Sequence, residues 1–342
     1  MREISIQKNE AGQRMDKFLA KYLNKAPKSF FYKMMRKKNI TLNGKKAVGN
    51  EQLTQGDVIK LFLAEETIEN FIDHSQFSKK KASSARKQTA GKKVQLDILY
   101  EDEAAVFINK PVGMLSQKAS PTDTSLVEYF IDYLLENGKI TEEELHTFHP
   151  SVCNRLDRNT SGIVAAGKTL QALQGLSEMF RDRTLKKYYL CLVKGQVKEN
   201  QRIHGYLVKN EKTNKVTVSQ KKPAEQAKDG KEASAIDTEY KVLAQNKDTT
   251  LLEVHLITGK THQIRAHLAS IGHPIAGDYK YGNRSFNDAL KKEYGLRSQL
   301  LHAYRLEFPE NCEGDIKQLS GKIIKAPVPS LFEQICKAQG VM

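Results

Sequence analysis

Arg155-Leu156-Asp157-Arg158-Asn159-Thr160-Ser161-Gly162 sets one carboxylate between two arginines in a short polar stretch, and the strand-like run Ile163-Val164-Ala165-Ala166-Gly167-Lys168 follows at once. An acid held in a turn at the mouth of a strand is a candidate catalytic group, provided that something keeps it ionised. Burial disfavours the charged form of a carboxylate, and a nearby guanidinium restores it. An aspartate that merely caps the turn, or pairs with a neighbouring arginine, would leave the same local pattern. Segments far away in the chain decide between these readings.

Two such segments carry usable chemistry. In Lys187-Tyr188-Tyr189-Leu190-Cys191-Leu192-Val193-Lys194-Gly195, strand alternation puts Lys187 and Tyr189 on one face and Tyr188 and Leu190 on the other. A tyrosine can stack on a base or exchange a proton, whereas core packing suits at least one of this pair. In Thr258-Gly259-Lys260-Thr261-His262-Gln263-Ile264-Arg265-Ala266-His267-Leu268 a helix is predicted to start near Thr261. Ile264, Leu268 and Ile271 form its buried stripe. Arg265 borders that stripe, from where it can reach into a cleft. His262 and His267 are five residues apart, not the four that stack two ligands on one helix face, so no metal site is expected here.

Around these segments, residues 96–100 and 104–108 read as strands joined by a turn at Glu101-Asp102-Glu103. Residues 125–137 have helical spacing, with Thr124 as a cap and Gly138 as the terminating glycine. A helix over 170–181 and strands over 188–193, 238–243 and 251–257 follow. Strands outnumber helices, and the spacing indicates α+β rather than a regular βαβ repeat.

The 342 residues include 55 Lys and Arg against 40 Asp and Glu, a formal charge of +15. Such an excess favours polyanionic partners, nucleic acid first. Cys153, Cys191, Cys312 and Cys336 are scattered, with no spacing for a disulfide framework or a zinc site. The first residues lack a signal-type apolar core and no apolar run has membrane-spanning length, so a reducing cytoplasm and no membrane are expected.

Residues 67–93, which include Lys79-Lys80-Lys81-Ala82-Ser83-Ser84-Ala85-Arg86-Lys87, are poor in large apolar side chains and read as a flexible basic linker. The expected division is a small module over 1–64, a linker over 65–94 and a large domain over 95–342. Within the module, residues 14–23 and 28–38 have helical spacing, with Ser29 as an N-cap. Phe30, Phe31, Met34 and Met35 would form the apolar stripe of the second helix, opposite Lys33, Arg36 and Lys37. Ile40-Thr41-Leu42-Asn43-Gly44-Lys45 reads as a strand entering an Asn-Gly hairpin turn. A one-signed helix face beside a basic linker points to RNA.

Over residues 12–62 this module resembles the αL RNA-binding domain of the S-four type. The resemblance rests on Arg14-Met15-Asp16-Lys17-Phe18-Leu19, on Lys28-Ser29, and on Arg36-Lys37-Lys38-Asn39-Ile40-Thr41-Leu42-Asn43-Gly44-Lys45. Asn39 stands near the place where that family usually has a small residue, often glycine. The resemblance implies RNA contacts by Arg14, Lys28, Ser29, Lys33, Arg36, Lys37 and Lys38.

The large domain resembles the RluA/RluC/RluD family of RNA pseudouridine synthases. The residues that carry the likeness are Leu99-Tyr100-Glu101-Asp102, Asn109-Lys110-Pro111-Val112-Gly113, the Arg155–Gly162 stretch, Lys187-Tyr188-Tyr189 and Gly259-Lys260-Thr261-His262-Gln263-Ile264-Arg265. Gly272-His273-Pro274-Ile275 with Asp278 and Tyr281-Gly282, Leu301-His302-Ala303, and Ala326-Pro327-Val328-Pro329 complete it, in family order. Asn154 stands where the family most often has His, and Asn159 where it often has Asp.

The resemblance implies a pseudouridine synthase fold, with a large mixed, mainly antiparallel sheet flanked by helices, beside the small α/β RNA-binding domain. It implies an isomerase that converts specific uridines to pseudouridine, most often in large-subunit (23S) ribosomal RNA. A transfer-RNA enzyme and a non-catalytic RNA-binding or ribosome-assembly protein are the alternatives. By the same resemblance Asp157, Tyr189 and Arg265 are the catalytic residues. Arg155, Arg158, Lys187, His262 and Gln263 are expected to touch RNA. No cofactor or metal is expected, and a monomer is the default.

Overall fold

The computed structural model describes residues 1–73, 94–142, 144–210, 213, 215–222 and 233–342. The N-terminal unit consists of β1 (Arg2–Ser5), α1 (Met15–Tyr22), α2 (Lys28–Arg36), β2 (Ile40–Leu42), β3 (Lys45–Lys46), β4 (Val58–Leu61) and α3 (Glu65–Asn70). Its antiparallel sheet has the order β1-β4-β2-β3. Met15, Phe18, Leu19, Phe31, Met35, Ile40, Ile59 and Leu61 fill one core between helices and sheet. Asn43 and Gly44 both have positive φ, and Leu42 faces Lys45 across them. This is the two-residue hairpin that Asn-Gly favours.

Two local expectations are corrected here. The N-cap of α2 is Pro27, not Ser29, which sits exposed in the first turn; proline's fixed φ suits that entry. The left-handed residue that ends α2 is Lys38 (φ 57°), one place before Asn39. A non-glycine there costs about 1 kcal/mol. The start of the expected linker is helical, because Ile68 and Ile72 are spaced one turn apart and bury into the N-terminal core. The unit therefore runs to about residue 73. The basic run Lys79–Lys87 lies outside the described residues.

The larger unit contains β5 (Ile98–Glu101), β6 (Ala105–Lys110), α4 (Leu126–Glu136), β7 (Ser151–Val152), β8 (Ser161–Gly167), α5 (Leu170–Asp182), β9 (Lys186–Lys194), β10 (Gln201–Asn210), β11 (Lys215–Ser219), β12 (Ser234–Gln245) and β13 (Thr249–Leu256). After them come α6 (Gln263–Ser270), α7 (Arg284–Tyr294), β14 (Leu301–Glu307), β15 (Ile323–Lys325) and α8 (Ser330–Ala338). One sheet runs β11-β10-β12-β13-β9-β14-β8-β6-β5, with β15 added beside β14 and β7 beside β8. Its pairings are antiparallel except β14 on β8, so the sheet is mixed and mainly antiparallel, with helices alongside.

The cap of α4 differs from expectation. Ser125, not Thr124, is its N-cap, closed by Glu128 in a reciprocal capping box. β8 is buried along its whole length, which matches its lack of polar alternation. Gly162 (φ 113°) allows its parallel neighbour to come close, since a Cβ there would lie 2.1 Å from the Ala303 carbonyl oxygen. Apolar cores cover both faces of the central strands, one with α4 and α6, the other with α5. The order β13-β9-β14-β8 brings three features to one cleft: the turn before β8, the middle of β9, and the loop between β13 and α6.

Candidate active site

The turn that carries Asp157 is held from several sides. Thr160 N–H donates to the Asp157 carbonyl at 3.0 Å. The Ser116 hydroxyl accepts from Leu156 N–H and donates to the Leu156 carbonyl, both at 3.0 Å. Gly113 N–H donates to the Arg158 carbonyl at 2.9 Å, and Arg158 Nε returns a bond to Gly113 O at 3.1 Å. The fully buried Lys110 points its Nζ at the carbonyls of Pro111, Met114 and Arg158. Burial lowers this ammonium to about 8, with the charge of Asp157 opposing the drop. Asn154 sends its amide to Ile163 O and accepts from Ala165 N–H. That departure from the family pattern therefore braces the backbone beside the cleft.

Asp157 meets Arg265 across 108 residues of chain, with Nη1 donating to Oδ2 at 2.8 Å. Arg265 is itself fixed by Asp278, which takes Nε at 2.7 Å and Nη2 at 3.0 Å. Two-point pairing of this kind fixes the guanidinium plane and leaves Nη1 aimed at Asp157. Asp278 is 1% exposed and Arg265 8%. Burial works against the Arg265 charge, but hydrogen bonds and charge from Asp278, and then from Asp157, hold it above its ordinary range. Arg155 and Arg158 are exposed at the rim. Asp157 thus takes its charge partner from α6, not from the adjacent arginines.

Asp157, Arg265, Arg155 and Arg158 line a cleft of about 800 Å³, together with Lys187, Tyr189, Lys260, His262, Gln299 and Leu301. As the alternation of β9 predicts, Lys187 and Tyr189 share this face. Tyr188 faces away, stacked on His255 with ring centroids 4.8 Å apart and under the Arg305 guanidinium at 3.9 Å. Burial lowers the Lys187 ammonium, and Arg183 adds to the effect. Burial, and secondarily the charge of Asp157, raise the Tyr189 phenol. Tyr189 is therefore a neutral phenol at pH 7. It suits stacking and hydrogen-bond donation; it can take a proton only while passing its own proton on.

Gln263 requires a correction. It is 2% exposed and spends its whole amide internally. Nε2 donates to Asp237 O and Thr238 Oγ1, and Oε1 accepts from the Thr258 hydroxyl and Lys260 N–H. With all four positions filled it staples the helix entry to β12 and has nothing left for RNA. His262 does reach the cleft, taking left-handed geometry (φ 54°) as the N-cap residue of α6, whose start at Gln263 is two residues later than the expected start near Thr261. Arg14 pairs with Asp16, whereas Lys28, Lys33, Arg36, Lys37 and Lys38 are exposed on α2 and its exit. Asp278 and Tyr281 belong to the site although the sequence alone assigns them no role. Their signal is a carboxylate and a phenol three residues apart, following a Gly-His-Pro turn.

Among the described residues, no group of three or more His, Cys, Asp or Glu is placed to hold a metal ion. No helix among them is long and apolar enough to cross a membrane.

Comparison with known proteins agrees with this geometry. Residues 104–270 match the family model described as RNA pseudouridylate synthase. The chain is 32% identical to "Ribosomal large subunit pseudouridine synthase C" of Vibrio parahaemolyticus, over 97% of this chain and 94% of that protein. It is 32% identical to the protein of the same name from Haemophilus influenzae, over 91% and 88%. Among solved structures, human RNA Pseudouridylate Synthase Domain Containing 4 aligns with a TM-score of 0.54 and 25% identity, over 72% of this chain and 94% of that one. A cleft built on Asp157, Arg265 and Tyr189, a mainly antiparallel mixed sheet and relatives matched nearly end to end lead to one conclusion: the chain belongs to the RNA pseudouridylate synthase family.

Proposed function

We propose that this enzyme isomerises specific uridines of large-subunit ribosomal RNA, with Asp157 as the group that engages the sugar. The observation that carries this reading is the Asp157 carboxylate, kept beside the buried Arg265 in a cleft with basic residues at its rim. The bond from the sugar to the base nitrogen breaks, the base turns, and the sugar rejoins at carbon-5. The carbon-5 proton leaves while the freed nitrogen gains one, so the step is an isomerisation without redox change. Arg265 holds the Asp157 carboxylate aimed through its 2.8 Å hydrogen bond, and Tyr189 stacks on the uracil. A uridine cannot reach Asp157 from within a stack, so it must flip out at a cost of about a few kcal/mol. Arg155, Arg158 and Lys187 offset part of that cost by holding phosphates. The names of the curated relatives favour ribosomal over transfer RNA.

Large-subunit ribosomal RNA and transfer RNA, each labelled with tritium at uridine carbon-5, distinguish the substrates. Release from the ribosomal RNA at a small whole number of sites is expected, and release only from transfer RNA overturns the substrate reading.

The unit over residues 1–73 is proposed as a second RNA handle of the S-four type, because Lys28, Lys33, Arg36, Lys37 and Lys38 lie exposed together. Replacing Lys33, Arg36, Lys37 and Lys38 by Gln in the full chain should weaken RNA binding. It should also flatten the log–log salt dependence, by roughly 0.7 for each phosphate that is no longer neutralised. Unchanged affinity and slope would mean that this face carries no RNA.

A further inference from the structure

The Tyr281 hydroxyl lies 2.9 Å from Nδ1 of His262 and 2.9 Å from the backbone N–H of Val216 on β11. The amide can only donate, so the phenol oxygen accepts there. Among the described residues, Nδ1 of His262 is the acceptor in reach of the phenol's single proton. A neutral imidazole that accepts at Nδ1 carries its proton on Nε2. Nε2 stands 3.8 Å from Asp157 Oδ2, the oxygen that also receives Arg265. We propose that Tyr281 and His262 are a positioning pair for Asp157, in which the phenol locks the imidazole in its Nε2–H tautomer and turns that N–H toward the carboxylate.

Three features support a built arrangement. His262 adopts left-handed geometry, so its ring turns away from the helix and into the cleft, edge-on to Tyr281 with centroids 5.6 Å apart. Gln263, the next residue, is pinned by four hydrogen bonds. Asp278 accepts the N–H groups of Lys280 and Tyr281 on Oδ1, so the carboxylate that orients Arg265 also seats Tyr281. One buried acid thereby sets both neighbours of Asp157.

The tautomer matters because of charge. A lone pair facing Asp157 would repel it, and an imidazolium would compete with Arg265 for the same oxygen. A neutral N–H does neither. At 3.8 Å it is beyond hydrogen-bond range, and such distances tighten when substrate fills a site. The groups facing His262 are Asp157 on the turn before β8, Arg265 on its own helix, and Asp278 and Lys280 on the following loop. Lys215 of β11 lies 5.9 Å from the Tyr281 ring centre. Burial holds the imidazole below its ordinary value, with Asp157 opposing, so it is neutral at pH 7.

This inference rests on Asp157 being the reacting group, but its test separates the two ideas. Long-range nitrogen–proton spectra of protein labelled in its histidine rings report the tautomer directly. The His262 signals are assigned by their loss in His262→Gln. Nδ1 should appear as an unprotonated acceptor and Nε2 as protonated. Tyr281→Phe removes the donor that stabilises the neutral ring, so His262 should titrate at higher pH. Single-turnover tritium release should fall roughly tenfold to a hundredfold, its acid limb moving upward with that titration, while RNA affinity stays the same. A protonated Nδ1 in the native protein overturns the proposal. So does a Tyr281→Phe loss of equal size at every pH, which marks a merely structural role. Absence of tritium release from the native protein would instead count against the functional reading, and the ring spectra would still report the tautomer.

Discussion

Asp157→Ala should abolish tritium release from uridine-labelled RNA, by at least about four orders of magnitude in single-turnover rate, and leave RNA affinity within about twofold. The two effects separate because Asp157 and the binding surface do different work. Its carboxylate is half-buried and bonded to Arg265, while the phosphate contacts proposed at the rim fall to the exposed Arg155 and Arg158. The turn itself does not depend on the side chain. Lys110, Ser116 and Gly113 hold it through backbone groups of residues 156 and 158, and Thr160 N–H bonds the Asp157 carbonyl. Gel-shift titration beside the release assay checks both halves. Residual release near the native rate would mean that another group engages the sugar.

Arg265→Ala should have the second largest effect, on stability as well as rate. It strands Asp278, which is 1% exposed, as a buried charge without its guanidinium, a change that costs about 3–5 kcal/mol. Arg265→Lys separates charge from geometry. A lysine supplies one charged point and cannot hold both Asp278 oxygens while reaching Asp157. The Lys variant should therefore fold, with a smaller drop in thermal unfolding temperature, and still lose about a hundredfold or more in single-turnover rate. Thermal melts of both variants beside the release assay decide the point. A Lys variant with native rate would show that charge alone suffices and that the two-point clamp is idle.

Much of this arrangement was legible in the sequence, though not all by the same route. The Asn43-Gly44 hairpin and the stripe of Ile264 and Leu268 follow from local rules, because turn chemistry and helical periodicity act over a few residues. The alternation of β9 also placed Lys187 and Tyr189 together. The pairing of Asp157 with Arg265 did not follow from spacing. The resemblance names both as catalytic, and nothing local distinguishes Arg265 from Arg155 or Arg158 as the partner.

What stayed hidden depends on tertiary packing or on competition between adjacent candidates. Thr124 and Ser125 both suit a helix cap, and Glu128, three residues after Ser125, is the signal that picks the second. Ile68 and Ile72 sit one helical turn apart inside a polar stretch, too short a pattern to stand out until the N-terminal core receives them. The resemblance assigned Gln263 an RNA contact. Its burial against β12 is set by strands far away in sequence. The joint service of Asp278 to Arg265 and Tyr281 belongs to the same class, since it appears only when α6 and the loop after it pack together.

The decisive measurement is a map of pseudouridine across ribosomal and transfer RNA from cells that have or lack the gene. Loss of specific pseudouridines in large-subunit ribosomal RNA is expected, restored by the native gene and not by the Asp157→Ala copy. An unchanged large-subunit map, or full restoration by the Asp157→Ala copy, would contradict the proposed substrate or the proposed catalytic group.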